Sequence, residues 1–208
     1  MKLYAITDGA RLPGDQSARE DALVALAEHW AAGGVDFIQI REKSLSTGAL
    51  ERLAGRIVEA VRAARTDTAV LINGRADIAL ATGADGVHLP GFSELTAPIV
   101  RQFFSTCQGR QPLVSVACHS VAEVEKARNE GANIVLFAPV FGKTLGDGSR
   151  RPEVGLDALR LACEAAKPMP VYALGGITNQ NAAACLAAGA AGIAGIQLFQ
   201  GTDWMALK

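Results

Sequence analysis

Arg41 and Lys43 stand two residues apart in the run Gln39-Ile40-Arg41-Glu42-Lys43, and with the period of a strand both share a face with Gln39. Ile38 and Ile40 fall on the opposite, apolar face. Two cations beside an amide that can orient them suit an anion. Two histidines end or nearly end comparable runs: His88 in Gly86-Val87-His88-Leu89, and His119 after Ser115-Val116-Ala117-Cys118. In the second run Ser115, Ala117 and His119 face one way, and Cys118 packs outward with Val114 and Val116 as a structural thiol. Asn73 closes a third apolar run, and Gly175-Gly176 and Gly195-Ile196-Gln197 follow or end two late ones. Backbone N–H groups in such glycine turns, together with a helix N-terminus, can hold a phosphate. The set predicts a small, anionic, phosphorylated ligand. Plainer readings stand beside it: Arg41 and Lys43 as a solvated rim, His88 as a satisfied core histidine, Gly175-Gly176 as a tight turn.

Bringing these groups to one rim requires strands whose ends meet. A helix-then-strand phrase recurs, as Ala31-Ala32-Gly33-Gly34-Val35-Asp36-Phe37-Ile38, Ala81-Thr82-Gly83-Ala84-Asp85-Gly86-Val87-His88, Asn129-Glu130-Gly131-Ala132-Asn133-Ile134-Val135-Leu136 and Ala187-Ala188-Gly189-Ala190-Ala191-Gly192-Ile193-Ala194. Each time a helical pattern reaches a glycine, which ends a helix in the left-handed conformation without a Cβ clash, and an apolar run follows. The pattern predicts strands near 2–7, 37–42, 69–73, 86–90, 113–119, 134–141, 171–175 and 193–198. Helices are expected near 17–32, 47–65, 75–82, 94–106, 120–131, 156–167 and 179–188, with Ser46, Ser93, Ser120 and Thr178 as N-caps. Strands alternating with helices in this number predict an α/β fold, a single (β/α)8 TIM barrel over residues 1–208. The first strand is not followed by a dinucleotide fingerprint, which argues against an open Rossmann sheet. At about 26 residues per βα unit the barrel is minimal, with a short final helix and no room for an inserted domain. The one long polar loop spans 142–153; Gly146 and Gly148 would let it move, and Lys143, Arg150 and Arg151 could reach a phosphate. It reads equally as a solvated loop.

Composition narrows the function classes. Hydrophobic residues make up 50% of the chain and charged residues 20%, an ordinary globular mix rather than a disordered one. Lys plus Arg number 20 against 21 for Asp plus Glu, which gives no support to a nucleic-acid or polybasic membrane surface. Cys107, Cys118, Cys163 and Cys185 form no CxxC pair and read as buried thiols in a reducing compartment. The N-terminus lacks the apolar stretch of a signal peptide, and no run approaches the roughly 18 apolar residues of a membrane span. The expected location is the cytoplasm.

The motifs, taken in order, resemble those of the thiamine phosphate synthase and thiazole tautomerase (TenI-like) superfamily. They are Gln39-Ile40-Arg41-Glu42-Lys43, Leu71-Ile72-Asn73-Gly74-Arg75-Ala76-Asp77-Ile78-Ala79, Gly83-Ala84-Asp85-Gly86-Val87-His88-Leu89, Ser115-Val116-Ala117-Cys118-His119-Ser120, Ala138-Pro139-Val140-Phe141 and Ala173-Leu174-Gly175-Gly176-Ile177. The resemblance implies the barrel independently of the strand count. It also implies one of two activities. The synthase joins a pyrimidine diphosphate to a thiazole phosphate with loss of pyrophosphate and needs Mg²⁺. The tautomerase aromatises a thiazole carboxylate phosphate without metal.

The synthases are implied to hold Mg²⁺ on an Asp after strand 3 and an Asp past the strand-4 His, since a diphosphate leaving group needs its charge neutralised. Here those positions carry Gly74 and Ser93, and the strand-6 loop is out of register as Phe141-Gly142-Lys143-Thr144-Leu145-Gly146. The resemblance therefore favours the tautomerase, with no cofactor and no metal site. A proton shift needs a group that works near neutral pH, and His119 suits it as the general acid/base. Arg41 and Lys43 would bind the carboxylate with Gln39 orienting them, Asn73 and His88 would line the substrate site, and Gly175, Gly176, Gly195, Ile196 and Gln197 would bind the phosphate. The alternative is a divergent synthase with Glu94, Asp147 or Asp8 as substitute Mg²⁺ ligands. A minor one is a regulator that binds thiazole phosphate without turning it over. The expected partner is the small thiazole phosphate, with no nucleic acid and no membrane; self-association into a homo-oligomer is compatible with the sequence.

Overall fold

Alternation along each strand builds two apolar layers. In Lys2–Ile6 (β1), Leu3 and Ala5 belong to the layer under the helices while Tyr4 and Ile6 point into the barrel. The same split runs through Phe37–Ile40 (β2), Ala69–Asn73 (β3), Gly86–Leu89 (β4), Leu113–Cys118 (β5), Ile134–Phe137 (β6), Val171–Ala173 (β7) and Gly192–Gly195 (β8). Each strand pairs in parallel with its neighbours in sequence, and β1 closes the ring on β8 with Leu3 opposite Ile193. This computed structural model describes residues 1–64, 66–91, 93–144, 150–151 and 153–207, with backbone alone at 143–144 and 150–151. Those two short stretches pair antiparallel outside the barrel.

Helices Gln16–Ala32 (α1), Thr47–Ala63 (α2), Ala76–Ala81 (α3), Ala97–Gln108 (α4), Val121–Asn129 (α5), Gly155–Ala166 (α6), Ala182–Ala187 (α7) and Gln197–Gln200 (α8) follow the strands in turn. In α2 the buried stripe Leu50, Leu53, Ile57, Val61 has helical spacing and faces the barrel. Gly55 lies inside that helix with nothing within 4 Å of where a Cβ would stand. Gly55→Ala is therefore expected to raise stability by about 0.5–1 kcal/mol. A thermal melt that failed to move upward would contradict it. No helix among the described residues is long and apolar enough to cross a membrane.

Inside the barrel, the rings of Tyr4, Phe37 and Tyr172 meet at centroid distances of 5.6, 6.0 and 5.7 Å. Phe37 opens β2, so this cluster fills the barrel toward the N-terminal ends of its strands. Polar side chains are thereby left to the C-terminal half. There the register sets Asn73, His88 and Ser115 side by side on β3, β4 and β5.

Several expected boundaries shift for identifiable reasons. β2 ends at Ile40, because the Arg41 N–H donates to the Thr7 hydroxyl at 2.9 Å instead of continuing a ladder. β6 ends at Phe137, two residues before Pro139, which has no N–H to extend pairing. β8 ends at Gly195, and the expected strand residue Gln197 instead opens α8. Ser46 and Ser120 cap α2 and α5 as expected, accepting from Ala49 N at 3.4 Å and Glu123 N at 3.3 Å. Ser93 does not cap α4, which starts four residues later after Thr96; its hydroxyl accepts from Leu95 N at 3.1 Å. Thr178 does not cap α7 either, since Asn181 precedes Ala182 and its side chain takes the Thr178 N–H at 2.8 Å. Beyond α8 the chain forms a short 3-10 turn, Asp203–Leu207, whose Trp204 stacks on Phe199 and meets the His29 ring edge-on.

Candidate active site at the mouth of the barrel

Gln39 is the inward residue nearest the end of β2 and is only 1% exposed. Its Nε2 donates to Asn73 Oδ1 at 3.0 Å, and its buried Oε1 has no partner among the described residues. Beside Asn73, His88 is 5% exposed and its Nδ1 lies 2.9 Å from Ser115 Oγ. Tyr4 Oη in turn lies 3.4 Å from the same oxygen. Burial first, and then the Arg41 guanidinium, push the His88 pKa down to about 3, so this imidazole is uncharged at neutral pH. His88 is anchored on one nitrogen, as a core histidine would be, and its other nitrogen has no hydrogen-bond partner among the described residues.

Arg41 and Lys43 lie just past β2 rather than within it, so strict alternation does not govern them. Arg41 is half-buried and Lys43 exposed. Between them Glu42 turns inward to the first loop, its two carboxylate oxygens accepting from Gly9 N at 3.0 and 2.9 Å. Burial raises its pKa above the usual glutamate value, opposed by hydrogen bonds from Thr7 and Gly9. Together Thr7 and Glu42 tie the loop after β1 to the loop that carries both cations. Sequence reasoning assigned Glu42 no role; the signal was a carboxylate whose alternation placed it with apolar Ile38 and Ile40.

His119 follows β5 directly and is exposed. Its backbone N–H donates to Glu123 Oε2 at 2.7 Å, and its Nδ1 lies 2.6 Å from the Ala138 carbonyl oxygen. A carbonyl oxygen can only accept, so Nδ1 carries the proton, and in the uncharged ring Nε2 presents a bare lone pair. Nε2 lies 3.3 Å from where a Cβ on Gly91 would stand, so the absence of a side chain there leaves that nitrogen uncovered. Cys118 is buried in the outer layer as expected, and burial pushes its thiol up to about 12. Cys163 and Cys185 are buried as well, whereas Cys107 is exposed, lying on α4 away from its buried stripe of Ala97, Val100 and Phe104.

Across the mouth, the loops after β7 and β8 enclose a cavity of about 550 Å³. Gly175, Gly176, Gly195, Ile196 and Gln197 all line it, with Thr178 and Asn179 beside them. Gly175 and Gly176 have φ of 96° and 64°, and a Cβ on either would meet Pro139 or Phe141 within 2.8 Å. Apart from Lys43, which is exposed beyond β2, the anticipated residues fall in three groups at the C-terminal ends of the strands: Gln39, Asn73, His88 and Arg41; His119, against Gly91; and the glycine loops. The side chains of Lys143, Arg150 and Arg151, and Gly146, Asp147 and Gly148 entirely, lie outside the described residues.

The synthase-type Mg²⁺ site can be tested on its donors. Gly74 offers no side chain, and the Ser93 hydroxyl is neutral and engaged with Leu95. Of the proposed substitutes, Asp8 is paired with Arg11 at 2.8 Å and Glu94 is exposed. Among the described residues no group of three or more His, Cys, Asp or Glu side chains could hold a metal ion. Positions 74 and 93 thus bring no carboxylate oxygen to a hard divalent cation, and Asp147, the remaining substitute, lies outside the described residues.

A sequence model of the family described as thiamine monophosphate synthase (TMP-TENI) matches residues 3–199. A putative thiamine-phosphate synthase of Geobacter sulfurreducens is 39% identical over 194 residues, covering 93% of this chain and 84% of its own length. The thiamine-phosphate synthase of Methanoregula boonei is 38% identical over 201 residues, covering 97% and 86%. Among solved structures, the thiamine phosphate pyrophosphorylase of Pyrococcus furiosus superposes with a TM-score of 0.79 at 28% identity, covering 98% of this chain and 90% of that one. A 3-hexulose-6-phosphate synthase, at TM-score 0.65 and 23% identity, shares the fold alone.

Proposed function

Because the chain belongs to the thiamine monophosphate synthase (TMP-TENI) family, we propose that it is an enzyme of thiamine biosynthesis that acts on a thiazole phosphate as a metal-independent tautomerase. The observation that carries this reading is His119. Its Nδ1–H is engaged by Ala138, its Nε2 is free to accept a proton, and the two positions that would bring metal carboxylates hold Gly74 and Ser93. In the reaction Nε2 removes a proton from one ring position and the resulting imidazolium returns it to another. Nothing is gained or lost, and the ring becomes aromatic. Arg41 and Lys43 bind the carboxylate, with Gln39 and Asn73 bracing the site beneath. The N–H groups of the loops after β7 and β8, with the start of α8, hold the phosphate.

The second reading, thiamine-phosphate synthase, is favoured by the names of the relatives, which point to that activity at 38–40% identity. It requires Mg²⁺ to be held by residues other than those at positions 74 and 93. One pair of assays separates the two. With thiazole carboxylate phosphate and a chelator present, NMR is expected to show conversion to the aromatic isomer. With pyrimidine diphosphate, thiazole phosphate and Mg²⁺, no pyrophosphate release is expected. Mg²⁺-dependent pyrophosphate release would overturn the proposal in favour of the synthase, and tight binding without conversion would make the protein a carrier.

A further inference from the structure

The mouth holds two imidazoles, and their partners fix their protons differently. At His119 a carbonyl decides the matter. At His88 the partners are hydroxyls, which both donate and accept, so protons have to be counted along the chain Tyr4 Oη, Ser115 Oγ, His88 Nδ1. The two separations are 3.4 and 2.9 Å, Tyr4 and Ser115 are both 0% exposed, and neither hydroxyl has another hydrogen-bond partner among the described residues. Two hydroxyl protons must therefore be placed in two hydrogen bonds. If His88 Nδ1 donated to Ser115, either the Ser115 or the Tyr4 proton would be left without an acceptor where water does not reach. A buried donor left without an acceptor forfeits the hydrogen bond it had in water, so such an arrangement is disfavoured. Only one arrangement uses both protons: Tyr4 donates to Ser115, and Ser115 donates to His88 Nδ1.

We infer that the Tyr4–Ser115 relay fixes His88 as an Nε2–H donor at the floor of the mouth, so that a ligand seated there must present a hydrogen-bond acceptor. The neighbouring Arg41 charge makes an anionic oxygen the preferred acceptor. The two histidines then have fixed and opposite tasks. His119 Nε2 has a lone pair and no proton, whereas His88 Nε2 has a proton and no lone pair. His88 can hold and polarise a ligand oxygen but cannot serve as the base. The tautomer stands without reference to the reaction; the role toward the ligand rests on the proposed tautomerase function.

The test begins with the unliganded protein. Long-range proton–nitrogen correlation of the ¹⁵N-labelled chain separates protonated from bare ring nitrogens, and loss of signals in His88→Asn assigns the residue. The expected spectrum shows His88 protonated at Nε2 and bare at Nδ1, with His119 reversed. Ser115→Ala should abolish the His88 preference. A proton on His88 Nδ1, or an unchanged tautomer in Ser115→Ala, would overturn the inference. For the ligand, His88→Asn keeps an amide near Ser115 but removes the donor, and should weaken binding of thiazole carboxylate phosphate about ten- to hundredfold. His88→Gln, whose amide N–H falls near Nε2, should restore most of it; equal losses in both variants would overturn the donor role. The expected spectrum combined with no binding of that phosphate to the wild type would count against the proposed function and leave the tautomer standing.

Discussion

Replacing His119 by Asn is expected to lower the isomerisation rate by about 10²–10⁴-fold, the usual worth of a positioned acid/base group. The choice of Asn follows from the geometry. Its side-chain amide can occupy the place of Nδ1 and still donate to the Ala138 carbonyl, which His119 reaches at 2.6 Å. What disappears is Nε2, the only part of the ring that the proposed reaction uses. Binding of the thiazole carboxylate phosphate should change by no more than about threefold, because the cations and the glycine loops remain and a lost transition-state contact acts on kcat. A variant that kept wild-type turnover would remove His119 from the mechanism. A variant that lost binding and turnover together would make His119 a ligand anchor instead. Measuring kcat and the binding constant on one preparation distinguishes these results.

The sequence carried the barrel because the signals involved are local. At the four recurring helix-to-strand turns, Gly34, Gly83, Gly131 and Gly189 all adopt positive φ, from 68° to 103°, as a left-handed helix end requires. Alternation likewise put Gln39 inside and Ile38 and Ile40 under the helices, since a strand's faces are set by its own residues. Strand ends were less legible, because they depend on groups far along the chain. Nothing near Arg41 announces that its N–H will be taken by Thr7, 34 residues earlier. The same holds for Glu42, whose partner Gly9 lies 33 residues away. Ring orientation was least accessible of all. His119 and His88 look alike as residues near strand ends, yet one faces a carbonyl 19 residues on and the other a hydroxyl 27 residues on. Those partners, not the histidines, decide which nitrogen is free. The His pair therefore had to wait for the packed barrel, even though both residues stood out in the sequence.

The barrel's close spacing leads to the largest stability effect. Gly86 opens β4 and pairs with Leu113 of β5, and a Cβ built on it would stand 1.8 Å from the Leu113 carbonyl oxygen and 2.6 Å from its carbon. Those atoms are backbone, so no side chain can rotate away; the two strands would have to separate. Separation is costly because the same pair of strands carries His88 opposite Ser115 two residues on. Gly86→Ala is thus expected to destabilise the fold by at least about 3 kcal/mol, beyond ordinary overpacking. Gly83→Ala supplies the control. Gly83 has φ of 68° but nothing within 4 Å of its Cβ position, so that substitution carries only the left-handed penalty, about 1–2 kcal/mol. Urea midpoints of the two variants should therefore differ clearly although both replace a glycine by alanine within one turn and strand. Equal losses would mean that β4 and β5 can part to admit a Cβ at little cost, so that space does not make Gly86 necessary. A Gly86→Ala protein that folds should also lose the His88 tautomer preference, because moving β4 off β5 lengthens the 2.9 Å contact on which that preference depends.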